Sequence, residues 1–261
     1  MTSLYRQLDV DAFEPTEHCA SAWGAHLQHG GPVVGLLTRA MSRLGEPAHR
    51  RIGRVTTEIL SAVRMEPVTV SARIERPGRR IELLTSTMNQ AGREVARATA
   101  WRLRTADTAA IAHHALPPTS GPTGRRGSAA DIGFPEEWIS GFVEALDWDV
   151  ADAGSPGVPT TVWTRLKVDL VDTEPISPLE RVVTTSDGAN GIGARLDPLH
   201  FTFPNTETTV HLYDAPEGEL VGIAAETSVG GDGIAMSTAL LSSRGGPVGR
   251  VTQTSLVEAR A

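Results

Sequence analysis

The stretch VGRVTQTSL at residues 248–256 has a near copy, VARATAWRL, at residues 95–103. Both read Val, a small residue, Arg, an apolar residue and Thr, and both reach Leu after three variable residues. A second pair of segments, VTTEIL at residues 55–60 and ETTVHL at residues 207–212, is separated by 152 positions, against 153 for the first pair. Two matches at nearly one offset predict that the chain contains two copies of one structural unit.

Each copy contains a segment with the apolar spacing of a helix. In GGPVVGLLTRAMSRL, residues 30–44, apolar residues recur every three or four positions, and Pro32 falls in the first turn, where proline is tolerated. In SPLERVVTTSD, residues 177–187, Ser177 is a candidate N-cap with Glu180 three positions later, the pattern of a capping box. We expect one long helix in each copy.

Segments typical of β-strands follow both helices. They are PVTVSARI, RIELLTSTM and EVARATAWRL in the first copy, and ELVGIAAETSV, GIAMSTALLS and PVGRVTQTSLV in the second. GFVEALDWDV and TTVWTRLKVDLV are expected to form a hairpin that opens the second copy, and YRQLDVDAF and SAWGAHL are candidates for the same role in the first. A helix followed by an antiparallel meander predicts an α+β unit in which a sheet wraps one buried helix.

The predicted domain boundaries come from the composition between the two copies. Residues 106–139 are rich in Ala, Pro, Gly and Ser, which is typical of a mobile linker. We therefore assign residues 1–105 to an N-terminal unit, 106–139 to the linker and 140–261 to a C-terminal unit.

Composition and charge argue against several classes of protein. The net charge of −7 disfavours nucleic-acid binding, which normally requires a basic face. The single cysteine, Cys19, permits no internal disulfide and no cysteine cluster for a metal, which favours a reducing compartment. No apolar run approaches the ~18–20 residues of a membrane span, and MTSLYRQLDV is too polar for a signal peptide, so we expect a cytoplasmic protein.

Several segments together resemble one known family. They are HGGPVVGLL, ERPGRRIEL and the Val-small-Arg-apolar-Thr strand in the first copy, and SPLERVVTTSDGANGIG, NTETTVHLYDAPEGELVGIAAET and VGRVTQTSL in the second. In this order they resemble the acyl-CoA thioesterase II (TesB-like) family, particularly its actinobacterial branch. The resemblance implies a tandem, or double, hotdog α+β fold, in which one continuous antiparallel sheet wraps two long helices. It also implies hydrolysis of a fatty or related acyl-CoA without a metal or organic cofactor, and assembly into a homo-oligomer.

The resemblance implies a set of catalytic residues in the second copy. The family's carboxylate falls on Glu207, which replaces the usual Asp with a side chain one methylene longer. The family's glutamine falls on Gln253, and its hydroxyl falls on Thr227 or Ser228, because an insertion leaves the register open by one residue. Glu207 would take a proton from water, and Gln253 and Thr227 would align that water.

Strand alternation bears on two of these assignments. Gln253 lies on the more apolar face of its strand, as Val251 does, and Thr227 shares a face with Ile223. This pattern favours Thr227 over Ser228. Both residues are equally compatible with a structural role, because burying an unpaired polar group costs ~1–3 kcal/mol and nearby groups commonly satisfy it.

The two copies differ at the positions of these polar residues. The first copy has Val55 where the second has Glu207, and Ala100 where the second has Gln253. Because only the second copy keeps these polar residues, we predict one active site per chain.

The candidate oxyanion donors are the backbone N–H groups of Gly30 and Gly31 at the start of the first helix. The helix dipole places roughly half a positive charge there, and glycine leaves the approach free of side chains. The same glycines are compatible with a loop that only begins the helix, and Glu207 is compatible with an ordinary surface residue.

Two other functions stay open. A non-catalytic protein that binds acyl-CoA or an acyl carrier would keep the fold; Glu207 is expected to reach Gln253 and Thr227 in an enzyme, and to face solvent in a binding protein. A hotdog hydratase requires an Asp and a His close together in a strand–helix loop, and His29 has no acid in the next few residues. The sequence contains no G-x-S-x-G elbow and no paired metal-ligand spacing, and it leaves the acyl chain length open.

Overall fold

One large β-sheet dominates the protein. The structure is a computed structural model that describes residues 2–45, 49–115 and 119–260. In these residues the strands are β1 Ser3–Gln7, β2 Ala12–Pro15, β3 Ala20–Ser21, β4 Gly24–Gln28, β5 Arg50–Ile59, β6 Val68–Arg76, β7 Ile81–Gln90, β8 Arg93–Arg104, β9 Leu146–Asp152, β10 Thr160–Leu166, β11 Asp169–Val171, β12 Phe201–Thr202, β13 Glu207–Leu212, β14 Val221–Val229, β15 Ile234–Ser243, β16 Gly246–Leu256 and β17 Glu258–Ala259. The large sheet has the order β11-β1-β2-β6-β7-β8-β5-β13-β16-β15-β14-β10-β9.

Apart from β11 at one edge, the order of strands is symmetrical about the centre of the sheet. β5 and β13 pair antiparallel at the centre. On one side follow β8, β7, β6, β2 and β1, and on the other side β16, β15, β14, β10 and β9 occupy the equivalent places. The predicted duplication, the two meanders and the continuous sheet are therefore confirmed.

One long helix in each copy packs on the sheet. The α-helices in the described residues are α1 Gly30–Ser42, α2 Gly141–Glu144, α3 Pro178–Ser186 and α4 Ala189–Gly193. α1 contacts β5 to β8, and α3 contacts β10 and β14. Ser177 caps α3 in a capping box with Glu180, so both predicted helices are confirmed. None of these helices is long and apolar enough to cross a membrane.

The two long helices also pack against each other. α1 presents Gly31 and Gly35, one turn apart, to Thr184 of α3. A β-carbon on Gly31 would lie 2.5 Å from the carbonyl oxygen of Thr184, and a β-carbon on Gly35 would overlap the Thr184 hydroxyl. The two glycines therefore permit the close approach of the helices.

Three local features differ from the sequence expectations. YRQLDVDAF forms a hairpin by itself, β1 with β2, while SAWGAHL contributes to the separate β3–β4 pair. The first residues of GFVEALDWDV form α2, because Phe142 and Val143 are both buried and a strand would turn one of them outward. β1 and β11 pair in parallel, so the sheet is mixed rather than wholly antiparallel.

The second part of the predicted linker packs against the C-terminal copy. Residues 106–115 are exposed, and residues 116–118 lie outside the described residues. Farther along, the Gly127 N–H donates to the backbone oxygen of Trp148 at 2.8 Å, and Trp138 is buried. The domain boundaries at 105 and 140 stay a prediction, but a mobile linker does not describe the stretch from Gly127 onward.

Candidate active site

Gln253 lies at the centre of a buried hydrogen-bond network. It projects from β16 and its side chain is fully buried. Its Oε1 accepts a hydrogen bond from the backbone N–H of Asn190 at 2.9 Å. Its Nε2 donates to the backbone oxygen of Asp187 at 2.9 Å and to Oγ1 of Thr208 at 3.1 Å. These contacts determine which end of the amide faces Asp187.

Asp187 is the carboxylate that meets Gln253. It immediately follows α3 and is 1 % exposed. Its Oδ1 accepts hydrogen bonds from Thr208 Oγ1 at 2.6 Å, Asn205 Nδ2 at 3.0 Å and Gln253 Nε2 at 3.3 Å. Burying a carboxylate is costly without such donors, and three donors on one oxygen hold the group in a single orientation.

The other carboxylate oxygen of Asp187 faces the N-terminus of α1. Oδ2 lies 3.3 Å from Nδ1 of His29, which is the N-cap residue of the helix. A β-carbon on Gly30 would lie 2.5 Å from the same oxygen, so only glycine fits there. The positive end of the helix dipole stabilises a carboxylate at this place, typically by about 0.3–1 kcal/mol.

His29 both caps α1 and contacts Asp187. The backbone N–H of Gly31 donates to His29 Nδ1 at 3.0 Å, which requires that this nitrogen carry no proton. Burial lowers the pKa of His29 from its usual value of 6.5, although Asp187 acts in the opposite direction. The ring is therefore neutral at pH 7. An Asp–His contact thus exists, but the two copies form it together, and it does not arise within one strand–helix loop.

Glu207 does not reach this network. On β13, Thr208 and Val210 point to the buried face, and Glu207 points to the opposite face. Its Oε1 accepts from the backbone N–H of Thr254 at 2.9 Å, and its cross-strand neighbour is Glu58. Partial burial raises the pKa of Glu207 despite the hydrogen bonds it accepts, and the Glu58 carboxylate adds to the rise. Strand alternation turns this carboxylate away from Gln253 and Thr227, so the contact expected of an enzyme that uses Glu207 is not made. For Glu207 alone this outcome matches the expectation for a binding protein, and an enzyme would need its carboxylate from another residue.

Thr227 lies on the same side of the sheet as Gln253 but two strands away. Thr227 pairs with Ser237 across β14 and β15, and Ser237 pairs with Gln253 across β15 and β16. The hydroxyl oxygens of Thr227 and Ser237 are 2.7 Å apart. The hydroxyl that contacts both Gln253 and the carboxylate is that of Thr208, so the structure does not bring Thr227 to the carboxylate.

Asp187 and Thr208 were not predicted as site residues from the sequence, and His29 was considered only for the Asp–His pair of a hydratase. Thr208 had a detectable signal, since Val210 and Leu212 share its face in ETTVHL and mark that face as the buried one. Asp187 stands at the end of the predicted helix, directly before a glycine. Its contact with His29 could not be inferred locally, because the two residues belong to different copies.

A small cavity opens beside the network. Its volume is about 40 Å³. His29, Gly188 and Asn190 are among the residues that line it. Six aromatic side chains line much of the rest, and together they define what we term the aromatic pocket: Trp23, Phe134, Trp138, Phe142, Trp148 and Phe203. Among residues 2–45, 49–115 and 119–260, no three His, Cys, Asp or Glu side chains are grouped closely enough to hold a metal ion.

Both copies match models of known protein domains. Residues 19–103 match the acyl-CoA thioesterase N-terminal domain, and residues 118–257 match the acyl-CoA thioesterase C-terminal domain. No curated protein sequence matches the chain.

Solved structures share the whole fold at low sequence identity. An acyl-CoA thioesterase II TesB2 from Mycobacterium marinum is 16% identical, with 98% of this chain and 95% of that chain covered and a TM-score of 0.71. A putative thioesterase II from Thermobifida fusca is 18% identical, with 98% and 96% covered and a TM-score of 0.71. A hot dog protein of unknown function from Alicyclobacillus acidocaldarius is 18% identical, with 98% and 95% covered and a TM-score of 0.72. These similarities establish the tandem hotdog fold, and because the C-terminal domain match alone spans more than half of the chain, the protein belongs to the acyl-CoA thioesterase family.

Proposed function

We propose that this protein hydrolyses acyl-CoA thioesters with Asp187 as the base. The observation that carries the proposal is the orientation of the Asp187 carboxylate. Three donors hold Oδ1, while Oδ2 faces the N-terminus of α1. Membership of the acyl-CoA thioesterase family supports the reaction type and the substrate class.

Asp187 Oδ2 is the oxygen that accepts the proton of the attacking water. The water oxygen bonds to the thioester carbonyl carbon as its proton passes to the carboxylate. The tetrahedral intermediate then breaks its C–S bond, and the CoA thiolate leaves and takes up the proton. A positioned carboxylate base typically contributes ~10²–10⁴-fold to the rate of such a step.

The backbone N–H of Gly30 is the proposed oxyanion donor. The first N–H groups of a helix have no acceptor within the helix, and that of Gly31 is occupied by His29 Nδ1. A donor aimed at the developing oxyanion contributes ~10²–10³-fold. Of the two glycines expected from the sequence, Gly30 thus keeps the proposed catalytic role, and Gly31 supports the cap of α1.

Gln253 and Thr208 act as positioning residues in this proposal. Each donates a hydrogen bond to Asp187 Oδ1, and together they keep Oδ2 directed at α1. In the first copy the buried Ala100 replaces Gln253 and can make no such contact. We therefore propose one active site per chain, with the residues of the second copy providing the carboxylate.

Release of CoA thiol from acetyl-CoA and butyryl-CoA tests the proposal. We expect turnover by the wild-type protein and a fall in kcat of about 10²-fold in Gln253→Ala, because the carboxylate loses its orientation. The thioether S-butyl-CoA, which cannot be hydrolysed, should bind both proteins with similar affinity. Binding without turnover in the wild-type protein would refute the enzyme and leave the acyl-CoA-binding alternative.

A further inference from the structure

The aromatic pocket adjoins the proposed base. Gly188 directly follows Asp187, and Asn190 donates its backbone N–H to Gln253. His29, which contacts Asp187 Oδ2, lines the same cavity. A thioester whose carbonyl lies at Oδ2 therefore has this pocket beside it, and an acyl chain can extend into it.

Aromatic rings make up much of the lining of this pocket. The Trp23 ring lies edge-on to those of Trp138 and Phe203, with centroid distances of 4.6 and 4.9 Å. The Trp138 ring also lies 5.6 Å from that of Phe134 and 5.9 Å from that of Phe203. All but the Trp138–Phe203 contact, which is tilted, are edge-to-face, and such contacts stabilise by about 0.5–1.5 kcal/mol each beyond burial, so the rings resist displacement.

The remaining volume is small for an acyl group. The aromatic pocket measures about 40 Å³, whereas an engineered apolar cavity of ~150 Å³ is of the size that accommodates benzene. On that scale the pocket holds about one to two carbons beyond the carbonyl carbon, which corresponds to acyl groups of about two to three carbons. A longer chain requires that at least one ring leave its place.

Trp138 is the ring in the best position to set this limit. It lies on the 3₁₀ turn Glu136–Trp138, which precedes the strands of the second copy. It contacts three of the other rings, Trp23, Phe134 and Phe203, and is 6 % exposed. Removing its side chain joins the cavity to the space now filled by the indole.

We propose that the substrates are short-chain acyl-CoA thioesters and that Trp138 determines the upper limit of chain length. This inference rests on the hydrolysis proposed above and adds the substrate class to it. Trp138 acts by occupying space, so its removal should change the preference among chain lengths without altering the proton transfer at Asp187.

The experiment compares kcat/KM for acetyl-, butyryl-, octanoyl- and palmitoyl-CoA in the wild type and in Trp138→Ala. We expect the wild-type value to fall at least about 10-fold from butyryl- to octanoyl-CoA, because the longer chain exceeds the pocket. In Trp138→Ala the ratio between these two substrates should shift toward octanoyl-CoA by at least about 10-fold. Trp101→Ala, which removes an indole from β8 of the first copy, is the matched control and should keep the wild-type ratio.

Two results would overturn the inference while leaving hydrolysis intact: a wild-type preference for octanoyl- or palmitoyl-CoA, or an unchanged ratio in a folded Trp138→Ala protein. Circular dichroism and the melting temperature verify that each variant is folded. If no acyl-CoA is hydrolysed, the proposed function fails, and calorimetric binding of S-ethyl-, S-butyl- and S-octyl-CoA decides the size limit separately. Tighter binding of the two short thioethers supports the limit, and equal binding of all three contradicts it.

Discussion

Gln253 illustrates how one buried amide can determine the geometry of a carboxylate. Its Oε1 must face the Asn190 N–H, and its Nε2 must face the Asp187 backbone oxygen, so the reversed orientation would bring two acceptors together. Thr208 completes the arrangement, since its hydroxyl donates to Asp187 Oδ1 and accepts from Gln253. Every polar atom of the glutamine side chain is therefore used, and the amide has one favourable orientation.

Thr208→Val tests whether this hydroxyl positions the carboxylate. Valine keeps the shape but removes the 2.6 Å hydrogen bond to Asp187, so we expect kcat/KM for butyryl-CoA to fall about 10–100-fold. The matched control is Thr209→Val, one residue along β13 on the opposite face, which should retain near-wild-type activity. Equal losses in both variants would show that the effect is not specific to the carboxylate.

The lowered pKa of His29 predicts how stability changes with pH. The unfolded chain binds a proton at the usual value of 6.5, whereas the folded protein binds it only at lower pH, so the free energy of unfolding decreases as pH falls below 6.5. Asp187 is the titratable group that faces the ring and opposes this shift. His29→Asn should reduce the loss of stability between pH 7.5 and 5.5, measured by urea unfolding. An identical pH dependence in both proteins would contradict the assignment.

Among the helices and strands, features that depend on neighbouring residues were predicted from the sequence, whereas contacts between distant residues were not. The capping box of Ser177 and Glu180 involves neighbouring residues only, and the structure contains it as expected. The inward face of β16 also follows from alternation, which located Gln253 correctly. The family resemblance assigned the catalytic carboxylate to Glu207, although alternation along β13 turns Glu207 away from the buried face. Asp187 meets its partners only after α3, β13 and β16 have packed together.

The contact between α1 and α3 gives a prediction about packing. Gly35→Ala places a methyl group against the Thr184 hydroxyl, which has no hydrogen-bond partner among the described residues, and should destabilise the protein by about 1–3 kcal/mol. Thr184→Ala removes that hydroxyl, so the double variant should recover much of the loss. Urea unfolding of the two single variants and the double variant measures the coupling free energy. If the losses of unfolding free energy in the two single variants simply add in the double variant, the predicted contact is contradicted.

At the scale of the whole molecule, the two copies share their interior. β5 pairs with β13, α1 packs on α3, and β1 pairs with β11. The proposed site uses both copies as well, because the first provides the start of α1 and the second provides the carboxylate. Composition alone suggested a mobile linker between the two copies, and it could not reveal that aromatic side chains within that segment complete the aromatic pocket.

This shared interior predicts one cooperative unfolding transition. Separating the copies would expose the contact surfaces of both central strands and both long helices, so neither copy should remain folded after the other unfolds. Differential scanning calorimetry should therefore give one peak whose calorimetric enthalpy equals the van't Hoff enthalpy. Two resolved peaks would indicate that the copies unfold independently.

A comparison of Asp187→Asn with Glu207→Gln decides which carboxylate is the catalytic base. Both changes replace a carboxylate with an amide of similar shape, one inside the network and one on the opposite face of the sheet. With butyryl-CoA, we expect kcat to fall at least about 100-fold in Asp187→Asn. In Glu207→Gln we expect kcat within about threefold of wild type, since the substitution lies away from the network. The reverse result, with activity lost in Glu207→Gln and kept in Asp187→Asn, would show that Asp187 is not the base.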